Sequence, residues 1–168
     1  MRMDKLTNQL QSALADAQSL ALGKDHNFIE PVHLLAALLE QQGGSAAPLL
    51  QKAGADMAGL GAAVSAAVDA LPTVSGSSGD IAISNDLGRV LNVTDKLAQQ
   101  SGDAYISSEL VLLAMLESKT SAGEALKSHG VTPAGLKTAI DDVRGGEAVN
   151  DPQAEESRQA LDKYTIDL

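Results

Sequence analysis

Asp103-Ala104-Tyr105-Ile106-Ser107-Ser108-Glu109-Leu110-Val111-Leu112-Leu113-Ala114-Met115-Leu116-Glu117 has a counterpart earlier in the same chain, from Phe28 to Glu40. Phe28-Ile29 stands against Tyr105-Ile106, Leu35 against Leu112, Ala37 against Ala114, and Leu39-Glu40 against Leu116-Glu117, always 77 positions apart. Backwards, the same offset pairs Thr7-Asn8 with Ser84-Asn85, Leu10 with Leu87, Leu14 with Leu91, and Leu20-Ala21 with Leu97-Ala98. Forwards, after a slip of one residue, Leu50 matches Leu126, Gly54 matches Gly130, Leu60 matches Leu136 and Val64 matches Ile140. The chain reads as an internal duplication extending to about Gly146.

At 168 residues, two such units are each too small to bury a secure core alone, so they are expected to share one. The hydrophobic fraction of 44% rests on Ala, Leu and Val, with Phe28, Tyr105 and Tyr164 as the aromatics. Small side chains of this kind favour close packing of short helices. A net charge of −10, with no Lys/Arg-rich run, argues against nucleic-acid binding. The chain has no cysteine for disulfides or thiolate metal sites, no signal-peptide run and no membrane-spanning stretch, which fits a cytoplasmic domain with no membrane partner.

Helical periodicity runs from Thr7 to about Leu22 through Leu10, Ala13, Leu14, Ala17, Leu20 and Ala21, with Thr7 as N-cap and Gly23 as terminator. Pro31 opens a second helix carrying Leu34, Leu35, Leu38 and Leu39, stopped by Gly43-Gly44. Ser45 caps a short third helix, and Asp56 a fourth with Leu60, Val64, Ala67 and Leu71 inward. Repeat 1 therefore spans about residues 1–71, and Pro72 to Asp80, rich in Ser and Gly, reads as a bridge. Repeat 2, about 81–146, follows the same plan. Ser84 caps a helix with Leu87, Val90, Leu91, Thr94, Leu97 and Ala98 inward, Ser107 caps a second, and two shorter helices follow. The last begins at Thr132-Pro133 and breaks at Gly145-Gly146. Residues 147–168 hold six acids against two bases and too few apolar positions for a core, so they read as a linker helix leading to a further domain. The fold class is all-α, two pseudo-symmetric four-helix repeats sharing one core.

Motifs for catalysis are missing. Gly23-Lys24 lacks the surrounding glycine and hydroxyl of a phosphate-binding loop, and no Gly-x-Ser-x-Gly elbow occurs. His26, His33 and His129 lack metal-ligand spacing, so no metal is expected. What remains is surface. Val93 falls off the inward stripe of its helix, and Leu110 aligns with polar His33 of repeat 1, which marks both as candidates for exposure. Isolated surface apolar residues are ordinary. The sharper reading is that Leu91, Val93, Leu97 and Leu110 line an apolar groove for a peptide segment. Three polar residues also stand out: Thr7, Asp103 and Glu109. Their ordinary uses are helix capping for Thr7, a turn for Asp103 and a carboxylate at a helix N-terminus for Glu109.

Met1-Arg2-Met3-Asp4-Lys5-Leu6-Thr7, Ala15-Asp16-Ala17-Gln18-Ser19-Leu20-Ala21-Leu22, Phe28-Ile29-Glu30-Pro31-Val32-His33-Leu34-Leu35, Ile106-Ser107-Ser108-Glu109-Leu110 and Ala160-Leu161-Asp162-Lys163-Tyr164-Thr165-Ile166-Asp167-Leu168 together resemble the N-terminal domain of the Clp AAA+ chaperones. The resemblance covers essentially the whole chain, and its closing segment looks like the lead-in to the first ATPase domain in the disaggregase branch. It implies a non-catalytic domain that engages unfolded or aggregated polypeptides. It further implies a homohexameric ATPase parent using ATP and Mg in domains outside this segment, and cooperation with the DnaK chaperone system. Leu91, Val93, Leu97 and Leu110 match the family's apolar groove, with Val93 smaller than the Leu expected there. Thr7, Asp103 and Glu109 match polar positions associated with the same role. The alternative is an N-domain of a protease-associated Clp unfoldase, which would dock a folded adaptor. No cofactor is expected in this segment, and the isolated fragment is expected to be a monomer.

Overall fold

A computed structural model describes residues 3–74, 81–145, 148–150 and 152–153. Most of the predicted bridge and the expected linker helix lie outside these residues. Eight α-helices make up the described fold: α1 (Asn8–Gly23), α2 (Pro31–Glu40), α3 (Ala46–Lys52), α4 (Met57–Asp69), α5 (Asn85–Gln100), α6 (Ser108–Glu117), α7 (Ser121–Ser128) and α8 (Pro133–Arg144). Both ends of α1 and α5, and of α2 and α6, differ by 77 residues, while the starts of α4 and α8 differ by 76. The duplication is thus visible in the element boundaries, slip included.

Caps explain where most helices begin. The side chains of Thr7, Asp56, Ser84, Thr120 and Thr132 each accept a hydrogen bond from the backbone N–H three residues on. Ser45 and Ser107 occupy N-cap positions without such a bond, a correction to their expected role. The turn after α1 also departs from expectation. Gly23 is the last helical residue, and the left-handed conformation falls on Asp25 (φ 58), whose counterpart in repeat 2 is Gly102 (φ 73).

The halves interlock. α3 packs on α8 and α4 on α7, reciprocal contacts between pseudo-equivalent helices. Two short strands, β1 (Phe28–Ile29) and β2 (Ala82–Ile83), pair in parallel, so the residues preceding α5 pair with the loop between α1 and α2. The reciprocal pairing joins Leu6, just before α1, to Ile106 in the loop between α5 and α6. The hydrogen bonds obey the same symmetry: Ser84 N–H donates to the Ile29 carbonyl at 3.1 Å, and Thr7 N–H to the Ile106 carbonyl at 3.0 Å. Each repeat completes the other's loop, and one continuous cluster of buried residues runs through both. At its centre α6 is buried from Ser108 to Leu116, as a helix apolar on all sides must be. No helix among the described residues is long and apolar enough to cross a membrane.

Candidate groove and buried ion cluster

The outer face of α5 and the C-terminal end of α6 enclose a groove of about 480 Å³, lined by Asp86, Arg89, Val90, Val93, Ala114, Glu117, Ser118, Lys119 and Thr120. Val90, Val93 and Ala114 make its apolar floor. Asp86 and Arg89 are ion-paired with each other on the rim, and both are exposed enough for solvent to screen the pair. Val93 is 38% exposed, a large fraction for a valine on a packed helix.

Of the four apolar residues predicted to line a groove, the structure places only Val93 there. Leu91 and Leu110 are buried, 3% and 4% exposed, and Leu97 is half-buried against the core. The expected placement is corrected for a geometric reason. Positions two apart on a helix do not share a face, so Val93 facing out puts Leu91 in. Leu110 lies in the first turn of α6, where every residue is covered. Conversely, Val90, on the inward stripe of its helix and buried, also lines the groove, as does buried Ala114. Small side chains can close a core on one side and floor a groove on the other, and periodicity does not separate the two.

In repeat 1 the counterparts of Asp86 and Ser118 are Gln9 and Gln41, and these span the equivalent interval. Gln41 Nε2 donates to the Gln9 carbonyl at 2.8 Å, Gln9 Nε2 donates to the Gly43 carbonyl at 3.2 Å, and Ser45 N–H donates to Gln9 Oε1 at 3.2 Å. Gln9 is buried as a result.

Thr7, Asp103 and Glu109, the polar residues expected to take part in client engagement, are also buried, so their side chains do not line the groove. Thr7 caps α1. Asp103 and Glu109 meet a residue that sequence reading passed over, Arg144 at the end of α8. Arg144 Nη1 and Nη2 donate to the two carboxylate oxygens of Asp103 at 3.0 and 2.8 Å. Its Nε donates to Glu109 Oε1 at 3.0 Å and its Nη2 also to Ser107 Oγ at 3.3 Å. Burial works against the guanidinium charge. The Asp103 hydrogen bonds and the fields of both carboxylates outweigh it, raising the Arg144 pKa above its ordinary value. Asp103 Oδ1 in addition accepts from Val149 N–H at 3.0 Å.

A second buried polar pair occupies the corresponding place in repeat 1, since His26 is the counterpart of Asp103. His26 Nδ1 and His33 Nε2 are 2.8 Å apart. Glu30 N–H donates to His33 Nδ1 at 2.8 Å, which fixes that nitrogen as an acceptor and leaves Nε2–H to donate to His26. Burial, reinforced by the neighbouring His26, lowers the His33 pKa to about 4, so the ring is neutral at pH 7. Among the described residues, no group of three or more His, Cys, Asp or Glu could hold a metal ion.

The sequence profile of the Clp repeat (R) N-terminal domain matches residues 5–129. The whole chain is 57% identical to a segment of the chaperone protein ClpB of Pseudomonas putida and 51% identical to one of the ClpB of Vibrio cholerae, about a fifth of the length of each. The crystal structure of the Hsp104 N-terminal domain from Candida albicans superposes with a TM-score of 0.80 at 25% identity, over 90% of this chain and 99% of that one. The chain belongs to the Clp repeat (R) N-terminal domain family, as an N-terminal domain of the ClpB and Hsp104 type of chaperone.

Proposed function

We propose that this domain is the non-catalytic, client-engaging module of a protein disaggregase, and that the groove between α5 and α6 receives apolar segments of unfolded or aggregated polypeptides. The observation that carries this reading is the groove lined by Val90, Val93 and Ala114, in which Val93 reaches solvent beside a rim of opposite charges. An unfolded client exposes aliphatic side chains that a native protein hides, and burying them is worth roughly 25 cal/mol per Å². A groove this shallow binds weakly once the ordering of the client is subtracted. Several tethered copies offset that weakness by raising the effective concentration.

Further properties of the parent belong to the same reading: a homohexameric AAA+ ring, ATP and Mg in domains outside this chain, cooperation with the DnaK system and a cytoplasmic location. The folded domain is proposed to extend to about residue 146, with residues 147–168 as a linker that is fastened to the domain at Val149 and Pro152, and the isolated chain to be monomeric.

Backbone amide NMR titration with a permanently unfolded protein, against the same protein folded, tests the proposal. The expected result is shifts at Val90, Val93 and Ala114 with the unfolded form alone, abolished by Val93→Asp. Shifts elsewhere, or none, would overturn it. Shifts produced only by a folded partner would favour the adaptor-docking alternative.

A further inference from the structure

Residues 148–150 and 152–153 leave the domain past Asp103 and the start of α1. Val149 is buried, its N–H is held by Asp103 Oδ1, and its carbonyl accepts from Ala104 N–H at 2.8 Å and Tyr105 N–H at 3.2 Å. Three positions later in the sequence, the Pro152 carbonyl accepts from Asn8 N–H, next to Thr7, at 2.8 Å. Repeat 1 sends its chain out by the same route. Val74 N–H donates to the Asp25 carbonyl at 2.8 Å, and Thr73 bridges to His26. There, however, the polar side chains are the buried pair of His26 and His33. Only at the exit of repeat 2 does a charged cluster grip the departing strand among the described residues.

We propose that Asp103, Glu109 and Arg144 form a latch that fastens the chain's exit to the domain, with Asp103 joining Arg144 to the Val149 amide, so that the cluster sets the length of the tether to whatever follows. Arg144 orients the Asp103 carboxylate with two hydrogen bonds, Glu109 holds the third edge of the guanidinium, and the remaining capacity of Asp103 Oδ1 binds the strand. While the latch is closed, Val149 and Pro152 stay fastened to the domain. Opening it moves the pivot back toward Gly145 and frees about seven residues, roughly 23 Å of extended chain. Such a change in reach alters the effective concentration of the groove near the rest of the parent without altering the groove. Asp103 and Glu109 are positioning residues on this account, and their side chains touch no client.

The absence of cysteine permits a single spin label on exposed Asn150 through Asn150→Cys in the 168-residue chain. The label is expected to broaden the amide resonances of Ala104 and Tyr105, and Asp103→Asn to remove that broadening. The same variant is expected to speed hydrogen exchange at Ala104, Tyr105 and Val149 about tenfold or more, the loss of a charge-assisted hydrogen bond. Glu109→Gln leaves the bidentate Asp103–Arg144 pair in place, so it keeps the fold should the first variant lose it. It is expected to speed the same three amides by a smaller factor while Leu112 stays protected. Shifts at Val90, Val93 and Ala114 with unfolded protein are expected to persist in both variants, which separates this test from that of the groove. Unchanged broadening and exchange in a folded variant, or loss of the groove shifts with the exit still protected, would overturn the latch.

Discussion

Replacing His33 by leucine tests the buried histidine pair, because the fold itself supplies the comparison: Leu110 stands at the equivalent position of repeat 2. His33 is fully buried and its pKa falls from 6.5 to about 4. Its folded-state pKa is depressed, so the unfolded chain takes up a proton that the native chain refuses. The stability contributed by the neutral ring is fully present above pH 6.5, declines by about 1.4 kcal/mol per pH unit as pH falls, and is gone below about pH 4. The total is about 3 kcal/mol, of which about 2 kcal/mol is lost by pH 5, before most carboxylates titrate. Urea unfolding at pH 7 and pH 5 would show this as a drop in midpoint of about 1 M at the slopes usual for small domains. In His33→Leu the Glu30 N–H and His26 Nδ1 lose their partner, so stability at pH 7 is lower by about 1–3 kcal/mol. The pH dependence between 7 and 5 should nonetheless flatten. A variant with the wild-type slope, or a wild type with none, would refute the assignment of His33 as a neutral ring with Nδ1 accepting and Nε2 donating.

Arg144→Met leaves two buried carboxylates without their counter-charge and is expected to cost about 3–5 kcal/mol in chemical denaturation, the usual penalty for breaking a buried pair from one side. Gly123→Ala places a methyl against the backbone carbonyls of Met115 and Ser118, and neither can move without shifting α6 or its cap. A loss of about 2 kcal/mol or more in the same assay is expected, against a gain of about 1 kcal/mol for an unhindered Gly→Ala in a helix interior. Ser84→Ala removes the hydroxyl that accepts from Leu87 N–H at 3.1 Å and should cost about 1 kcal/mol, with α5 amides near Leu87 exchanging faster.

The duplication was legible because helix lengths and loop lengths both repeat, so one offset aligned core positions, caps and turns together. Thr7, Asp56, Ser84 and Thr132 announced their helices through side-chain chemistry that acts within three residues. The strand exchange was not legible. β1 and β2 are two residues long, too short for an alternating pattern, and their pairing joins Ile29 to Ile83 across three intervening helices. Leu110 misled because its repeat-1 counterpart is polar, yet His33 is itself buried and satisfied, so polarity there said nothing about exposure. The ion cluster had a signal that went unused: Asp103 and Glu109 replace His26 and Val32 beside a buried helix, and charges in such a place require a partner. Which base supplies it depends on where α8 ends in space, 41 residues beyond Asp103.

The glutamine bridge in repeat 1 has a numerical consequence. Duplication would ordinarily double the number of seats a chain offers, but Gln9 and Gln41 occupy the second with their own amides. A saturation experiment should therefore count one bound segment per chain. A client gripped at two points must then straddle two different chains, so the spacing between its captured segments reports distances between neighbours in an assembly, never a distance within one domain.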